Sequence, residues 1–511
     1  MIELSALEIA EITSGTLYGV PDPSAVRVHH ADTDSRNMGA DSLFIAKPGD
    51  TTDGHHFIDA ARAAGATLVL AQRETQDPAG DPHPSVIVDD VVHAMGALAH
   101  AILQRVRAHS TTTVIGITGS AGKTTTKDLL KSLLEPEGPT VAPQGSYNGE
   151  VGVPLTIFTV ELDTRFVVVE MGADAPGNIR DLAQMVRPDI GAVLMVGSAH
   201  AGKFGGADKI AAVKAELVEQ IGADGAIVLN RDDAQVAAMA PKAHAPITWF
   251  SEDTAGESAP ATATATTTAT AATMDSTEDA DAAGQPDQVR AADLRLDASG
   301  HPSFVLRFTE TGEDLPVVSG LTGAHHVSNI LAAAACALHA GVRPQDIAAR
   351  LNGLGPASRW RMERTERADG VTVINDAYNA NPESMREALR TLAMLTRPGA
   401  GRPSRRSVAV LGAMLELGDA SIPKHTQLGE TVVRLNIDKT LVVGELAYPL
   451  YRGAIAEGSW GSEVHWVATV EEAEAYLEQE LTSGDIVLFK SSNSAGLRLL
   501  GDKIAAKEGA L

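Results

Sequence analysis

The chain has 511 residues, 44% of them hydrophobic, so at roughly 150 residues per domain three domains are expected, each with a core of ordinary size. A formal net charge of −25 repels phosphate backbones and argues against broad nucleic-acid binding, but it leaves room for a local phosphate site built from backbone N–H groups. The lone cysteine, Cys336, cannot form a disulfide within the chain.

No run of about 18 uncharged apolar residues exists to span a bilayer. Residues 1–10 carry acids and no basic cluster, unlike a secretory signal. A soluble cytoplasmic protein with no membrane insertion is the expectation.

Residues 1–108 mix strand-like runs at 42–46, 67–71 and 85–88 with helical patterns at 57–64 and 91–106, which predicts a small N-terminal α/β domain. In residues 109–355, strand-like runs at 113–117, 166–169, 190–196 and 226–229 alternate with helical patterns such as 124–134 and 207–220. That alternation predicts a central domain with a parallel sheet covered on both faces. Within it, residues 252–288 hold ATATATTTATAAT and then STEDADAAGQPDQ, with acids and no lysine or arginine. Such a stretch cannot bury enough apolar surface to offset its ordering entropy, and it is predicted to be a disordered insertion, with strands resuming at 291–296 and 303–308. Residues 356–511 place strands at 371–375, 407–411, 440–443 and 485–489 between helices, the pattern of a second, Rossmann-like α/β sheet.

The strongest local signal is GITGSAGKTTT, residues 116–126, between the first central strand and a helix. That is the setting a phosphate-binding loop requires. Gly119 and Gly122 let the backbone wrap a phosphate, with Ser120, Ala121 and Thr125 completing the loop around the free N–H groups of a helix N-terminus. Lys123 offers charge to the β and γ phosphates, and the Thr124 hydroxyl can ligate Mg²⁺. Ile117 stands where the general G-x-x-x-x-G-K-[ST] form has its first glycine. Glu170 ends the apolar run 166–169, where it either meets a ligand at the sheet's C-terminal edge or faces solvent. Taken alone, His200 reads as a structural histidine and Lys214 as an ordinary surface lysine.

Together, TGSAGKTTTK, VVVEMGA, GSAH and IAAVKAE resemble the Mur ligase family, which includes the peptidoglycan ligases and folylpolyglutamate synthetase. The resemblance implies three domains: nucleotide-sugar binding, ATPase and Rossmann-like. It also implies an ATP-dependent amide ligase that works through an acyl phosphate. Glu170, His200, Thr124 and Lys214 would hold two Mg²⁺ ions, Lys214 as a carbamate. GAHHVSN resembles the family's G-x-H-N-x-x-N helix, which places Asn329 near adenine, with His326 in place of the usual Asn. Arg361 resembles the arginine at the domain junction, and Asp376 the acid that contacts the nucleotide.

NDAYNANPESM, residues 375–385, and LGAMLELG with His425 resemble the branch that adds D-alanyl-D-alanine to a UDP-N-acetylmuramoyl tripeptide. Tyr378, Asn379 and Asn381 would then face substrate, although Asn381 and Pro382 also suit a helix start. TDSR, LFIA and DGH in the first domain resemble the UDP-substrate domain, with Ser35 and Arg36 toward the nucleotide sugar. Asn148 is carried over as a substrate contact, while Gly149 and Met195 depart from the family's usual asparagines. A monomer is implied. The third residue of the tripeptide, diaminopimelate or lysine, is left open. Two rival readings are disfavoured: a ligase of this family that adds a single amino acid, by the YNANP segment, and a P-loop kinase or regulatory protein, by the domain count, the nucleotide-sugar motifs and the C-terminal α/β block.

Overall fold

The computed structural model describes residues 1–49, 52–143, 145–197, 207–252, 288–398, 403–458 and 462–507. His200 and all but the ends of the expected insertion at 252–288 lie outside the described residues.

The N-terminal sheet contains β1 (Thr16–Tyr18), β2 (His30–Asp32), β3 (Ser42–Ile45), β4 (Ala66–Ala71) and β5 (Ser85–Ile87), in the order β1-β5-β4-β3-β2. Helix α1 (Val91–His109) follows it. Its residues Val91, Ala94, Met95, Leu98, Ile102 and Val106 recur at helical spacing and form one buried stripe. This stripe belongs to a core that also takes in Leu43, Leu68 and Leu70 of the first sheet and Val114, Val167 and Val169 of the second. The first two sheets are therefore fastened together through α1.

The central sheet comprises, among the described residues, β6 (Thr113–Thr118), β7 (Thr140–Val141), β8 (Phe166–Glu170), β9 (Ile190–Val193), β10 (Ala226–Asn230), β11 (Ile247–Glu252), β12 (Val289–Leu296), β13 (Pro302–Phe308) and β14 (Glu313–Val318). Their order is β14-β13-β12-β11-β10-β9-β6-β8-β7. The strands from β7 to β12 along the sheet run parallel, and the largely apolar β6, β8, β9 and β10 at its centre fit burial on both faces. Helices α2 (Lys123–Leu134) and α5 (His326–His339, numbered after α3, Asn178–Val186, and α4, Ala207–Gln220) cover one face. The expectation of a parallel sheet needs one amendment. β13 and β14 are antiparallel, because the short turns at 297–301 and 309–312 join neighbours that only an antiparallel pairing allows.

The C-terminal sheet contains β15 (Glu363–Glu366), β16 (Thr372–Asn375), β17 (Ser407–Leu411), β18 (Lys439–Val443), β19 (Val464–Val467) and β20 (Ile486–Lys490), in the order β15-β16-β20-β17-β18-β19. All pairings but that of β15 are parallel. Helices α6 (Pro382–Thr396) and α7 (Ser421–Arg434) pack on one face. The expected α/β class with parallel sheets is observed. No helix among the described residues is long and apolar enough to cross a membrane.

One strand stops earlier than its apolar run predicts. The run at 190–196 leaves the sheet after Val193 because polar side chains capture its donors: Val196 N–H bonds Asp233 Oδ2 at 2.8 Å, and Gly197 N–H bonds Ser120 Oγ at 2.8 Å. Residues 194–197 thereby become a wall of the phosphate loop.

Candidate active site

The central and C-terminal sheets present the C-terminal ends of their parallel strands to one cleft of about 1700 Å³. Its lining includes Gly119 after β6, Gly172 after β8, Leu194 after β9, Asn230 on β10, Asp376 after β16, Leu415 after β17 and Lys490 on β20. Ligands bind at such strand ends in open α/β sheets.

The phosphate loop lies on one wall. Gly122 is the left-handed residue (φ +87°) before α2, and the side-chain oxygen of Asn329 occupies the space a Cβ there would need. Asn329, on α5, thus sits against the loop. Gly122→Ala is expected to weaken ATP binding by at least about tenfold, since a left-handed L-residue costs roughly 1–2 kcal/mol before the overlap is counted. Titration calorimetry checks this, and unchanged affinity would refute it.

Lys123 is half-buried on the cleft wall, and its ammonium donates to Gly119 O at 2.6 Å. Burial pushes its pKa down, Glu170 opposes that, and Arg361 adds to it. Thr124 Oγ1 donates to Glu170 Oε2 at 3.3 Å and accepts from Arg361 Nη2 at 3.1 Å. Ser146 Oγ lies 3.4 Å from the same carboxylate oxygen, and Asn148 Nδ2 donates to Ser146 Oγ at 3.1 Å.

Glu170 does not face solvent: it is 0% exposed, burial raises its pKa, and its Oε1 is buried without a hydrogen-bond partner. A buried carboxylate oxygen left without a donor, beside two hydroxyls, suits a hard cation that takes oxygen ligands. The residues present therefore fit Mg²⁺.

Lys214, on α4, is not a surface lysine either. It is 8% exposed and lines the cleft. Burial, with a smaller contribution from Lys123, brings its pKa down to about 7. The amine is then neutral in an appreciable fraction near pH 7, and only a neutral amine can add to CO₂. His200, expected beside it, lies outside the described residues.

The opposite wall comes from the C-terminal sheet. Arg361 reaches Thr124 and stacks its guanidinium 4.5 Å from the Tyr378 ring centre. The Tyr378 hydroxyl accepts from Ser146 N–H at 3.1 Å. Asn381 caps α6 through Ser384 N–H at 2.8 Å, and its side-chain nitrogen donates to Ser120 O at 3.1 Å. Its capping role and its place in the cleft are thus both real. Asn379 lines the cleft and accepts from Ala380 N–H through Oδ1. Asp376 pairs with Lys490 at 2.6 Å.

Ser35 and Arg36 are not brought to this cleft. Arg36 is 86% exposed on the N-terminal region and paired with Asp34, whose carboxyl its guanidinium holds down near 2. His425, from the LGAMLELG motif, is buried and structural: it accepts from Met414 N–H and lies 2.7 Å from Ser421 O, which fixes the loop after β17.

Sequence reasoning missed Ser146 and Lys490. Lys490 carried a readable signal, a charged residue ending the buried run IVLFK, the same pattern that singled out Glu170.

Comparison with known proteins agrees with this geometry. Sequence profiles described as "Mur ligase family, catalytic domain", "Mur ligase middle domain" and "Mur ligase, glutamate ligase domain" match residues 27–103, 117–337 and 360–493. The UDP-N-acetylmuramoyl-tripeptide–D-alanyl-D-alanine ligase of Mycobacterium tuberculosis is 38% identical, with 99% of both chains covered. The chain belongs to the Mur ligase family. The Bacillus subtilis ligase of the same description is 30% identical over 98% of this chain and 97% of its own. Among solved structures, MurF from Acinetobacter baumannii superposes with a TM-score of 0.80 at 26% identity, covering 99% of each chain. MurF ligase from Thermotoga maritima in complex with ADP gives 0.71 at 25% identity, over 92% of this chain and 96% of that one.

Proposed function

We propose that this member of the Mur ligase family is an ATP-dependent ligase that joins D-alanyl-D-alanine to UDP-N-acetylmuramoyl tripeptide, giving the pentapeptide precursor of peptidoglycan, ADP and phosphate. One observation carries the reading. The phosphate loop with Lys123, Thr124 and Glu170 faces the YNANP turn of the C-terminal sheet across a single cleft, and Tyr378 and Asn381 touch both sides. The names of relatives that match over nearly the whole chain support the same substrates.

A peptide carboxylate is a poor electrophile at neutral pH. Its oxygen attacks the γ phosphorus of ATP, ADP leaves, and an acyl phosphate results. The dipeptide amine then attacks the carbonyl carbon, loses a proton, and phosphate departs with the C–O bond electrons. The chain's work is to position these groups and stabilise their charge. Lys123 and the N–H groups of residues 119–125 hold the phosphates, while Asn329, Arg361 and Asp376 hold the rest of the nucleotide. Thr124, Glu170, His200 and a carbamate on Lys214 would hold Mg²⁺, which when bound would supply charge neutralisation for the phosphates and the carboxylate. Ser35 and Arg36 on the first domain and Asn148 on the second receive the UDP-tripeptide, and Tyr378, Asn379 and Asn381 border the acceptor. In this reading residues 1–108, 109–355 and 356–511 act as substrate, ATPase and acceptor domains of a cytoplasmic monomer.

Phosphate release from ATP with UDP-N-acetylmuramoyl tripeptide tests the reaction. Release that requires D-alanyl-D-alanine, with a pentapeptide product by mass, is expected. Release driven by a single amino acid would instead favour a sister ligase, and ATP turnover with no amide product a P-loop protein of another kind.

A further inference from the structure

Lys490 holds none of the roles assigned above, yet it is one of the most enclosed charges in the cleft. It ends β20, the strand between β16 and β17, and its side chain is 3% exposed. Its ammonium donates to Asp376 Oδ2 at 2.6 Å, Asp376 O at 3.3 Å and Asn379 O at 3.2 Å. An ammonium has three protons, and here every acceptor belongs to one turn, residues 376–379.

That turn is held from other directions as well. Asp376 N–H bonds Phe489 O at 2.9 Å, and Asp376 Oδ1 accepts from Met362 N–H at 3.1 Å. The turn and the helix cap that follows it hydrogen-bond the central domain, through the Tyr378 hydroxyl on Ser146 N–H and the Asn381 amide on Ser120 O. A buried lysine is costly unless paired, and an apolar side chain would close the strand at lower cost. What the lysine adds is direction, because it fixes two carbonyls and a carboxylate relative to the strand end.

We propose that Lys490 is a positioning residue for the ligase reaction: it holds the 376–379 turn in the shape that seats Tyr378 and Asn381 on the phosphate-loop domain. This rests on the ligase reading for its kinetic consequence, but not for its structural one.

Lys490→Met is expected to lower kcat by about 100-fold, the scale of a misplacement near 1 Å. KM for the UDP-tripeptide should change by less than about threefold, since that substrate binds on the other domains. Lys490→Arg should recover part of kcat. In the absence of any substrate, hydrogen exchange in the peptide carrying Ser146 should quicken by about tenfold or more, because its N–H loses the Tyr378 hydroxyl. Lys490 does not touch that segment, so a merely local structural role would leave its exchange unchanged. Should Lys490→Met fail to fold, the Asp376→Asn/Lys490→Met double variant, which leaves no buried unpaired charge, takes its place in the exchange measurement. Wild-type kcat in a folded Lys490→Met, or unchanged exchange at Ser146 in either variant, overturns the proposal. A wild-type protein that makes no pentapeptide overturns the ligase reading instead, and the exchange experiment still decides the role of Lys490.

Discussion

Lys123→Ala is expected to cut ATP-driven turnover by about 10³-fold or more, the range seen when a single cation facing transferring phosphates is removed. The cleft makes this cation worth more than an exposed one. Lys123 is only partly exposed on the cleft wall, so its attraction to a bound phosphate is less screened than that of a surface lysine. The nearest competing anion, Glu170, is itself raised in pKa by burial and suited to a cation of its own. Stability should change little. Removing Lys123 relieves the desolvation that lowers its pKa, but it also takes from Glu170 the first of the positive charges that favour its ionised form. Lys123→Arg should not rescue, because the longer planar fork cannot occupy the space 2.6 Å from Gly119 O without moving the loop. Phosphate release by the two variants, with thermal melts alongside, checks this. Retention of more than about a tenth of wild-type turnover by Lys123→Ala, about 1.4 kcal/mol of barrier, would show that the phosphates lie elsewhere.

Much of this architecture is legible in the chain. Apolar runs of four to seven residues between amphipathic helices give the parallel strands β6, β8, β9, β10, β17 and β20, because a strand buried on both faces has few polar positions. The edge strands are not legible in the same way. EDLPVV in β14 and ERTE in β15 carry charges and a proline that a sheet edge tolerates, and their local pattern resembles loop.

Within the site, the loop GSAGKTT announces itself through local spacing. The burial of Glu170 does not, because whether a strand-end acid meets solvent depends on what packs over the end. Lys214 carried a local signal of a different kind. It falls four residues after Ile210 and three before Leu217, on the buried stripe of α4, a periodicity that the reading of Lys214 as an ordinary surface lysine left unused. The contacts that join the two walls, Arg361 to Thr124 and Tyr378 to Ser146, link residues more than 230 positions apart. Nothing in local sequence encodes such pairs. They follow only from how the two sheets face each other, which is also why a motif assigned to substrate, YNANP, turns out to touch the phosphate-loop domain.

Lys214→Met is expected to abolish most turnover while making the protein more stable at neutral pH, a combination that only a functional buried charge produces. The sign follows from proton binding. In the folded chain Lys214 has a pKa near 7, against 10.5 for an ordinary lysine. Between those values the unfolded chain binds more protons, so the folded state gains stability as pH rises from 7 toward 10.5 and bears the full penalty below 7. At pH 7 that penalty amounts to at most about 4 kcal/mol, and a methionine of similar length removes it. In CO₂-depleted buffer, urea unfolding should therefore show Lys214→Met to be more stable than wild type at pH 7, with the gap closing by about pH 10. Turnover should move the other way, falling by about 10²-fold or more, as expected if the proposed carbamate on Lys214 is an anionic oxygen ligand of Mg²⁺. Carbamate formation consumes a neutral amine, so wild-type activity should fall when CO₂ is stripped and return with bicarbonate, needing less of it at pH 8 than at pH 6.5. A Lys214→Met enzyme with wild-type turnover would remove the carbamate from the mechanism. A variant less stable than wild type at pH 7 would mean that Lys214 is held by a partner that offsets its burial.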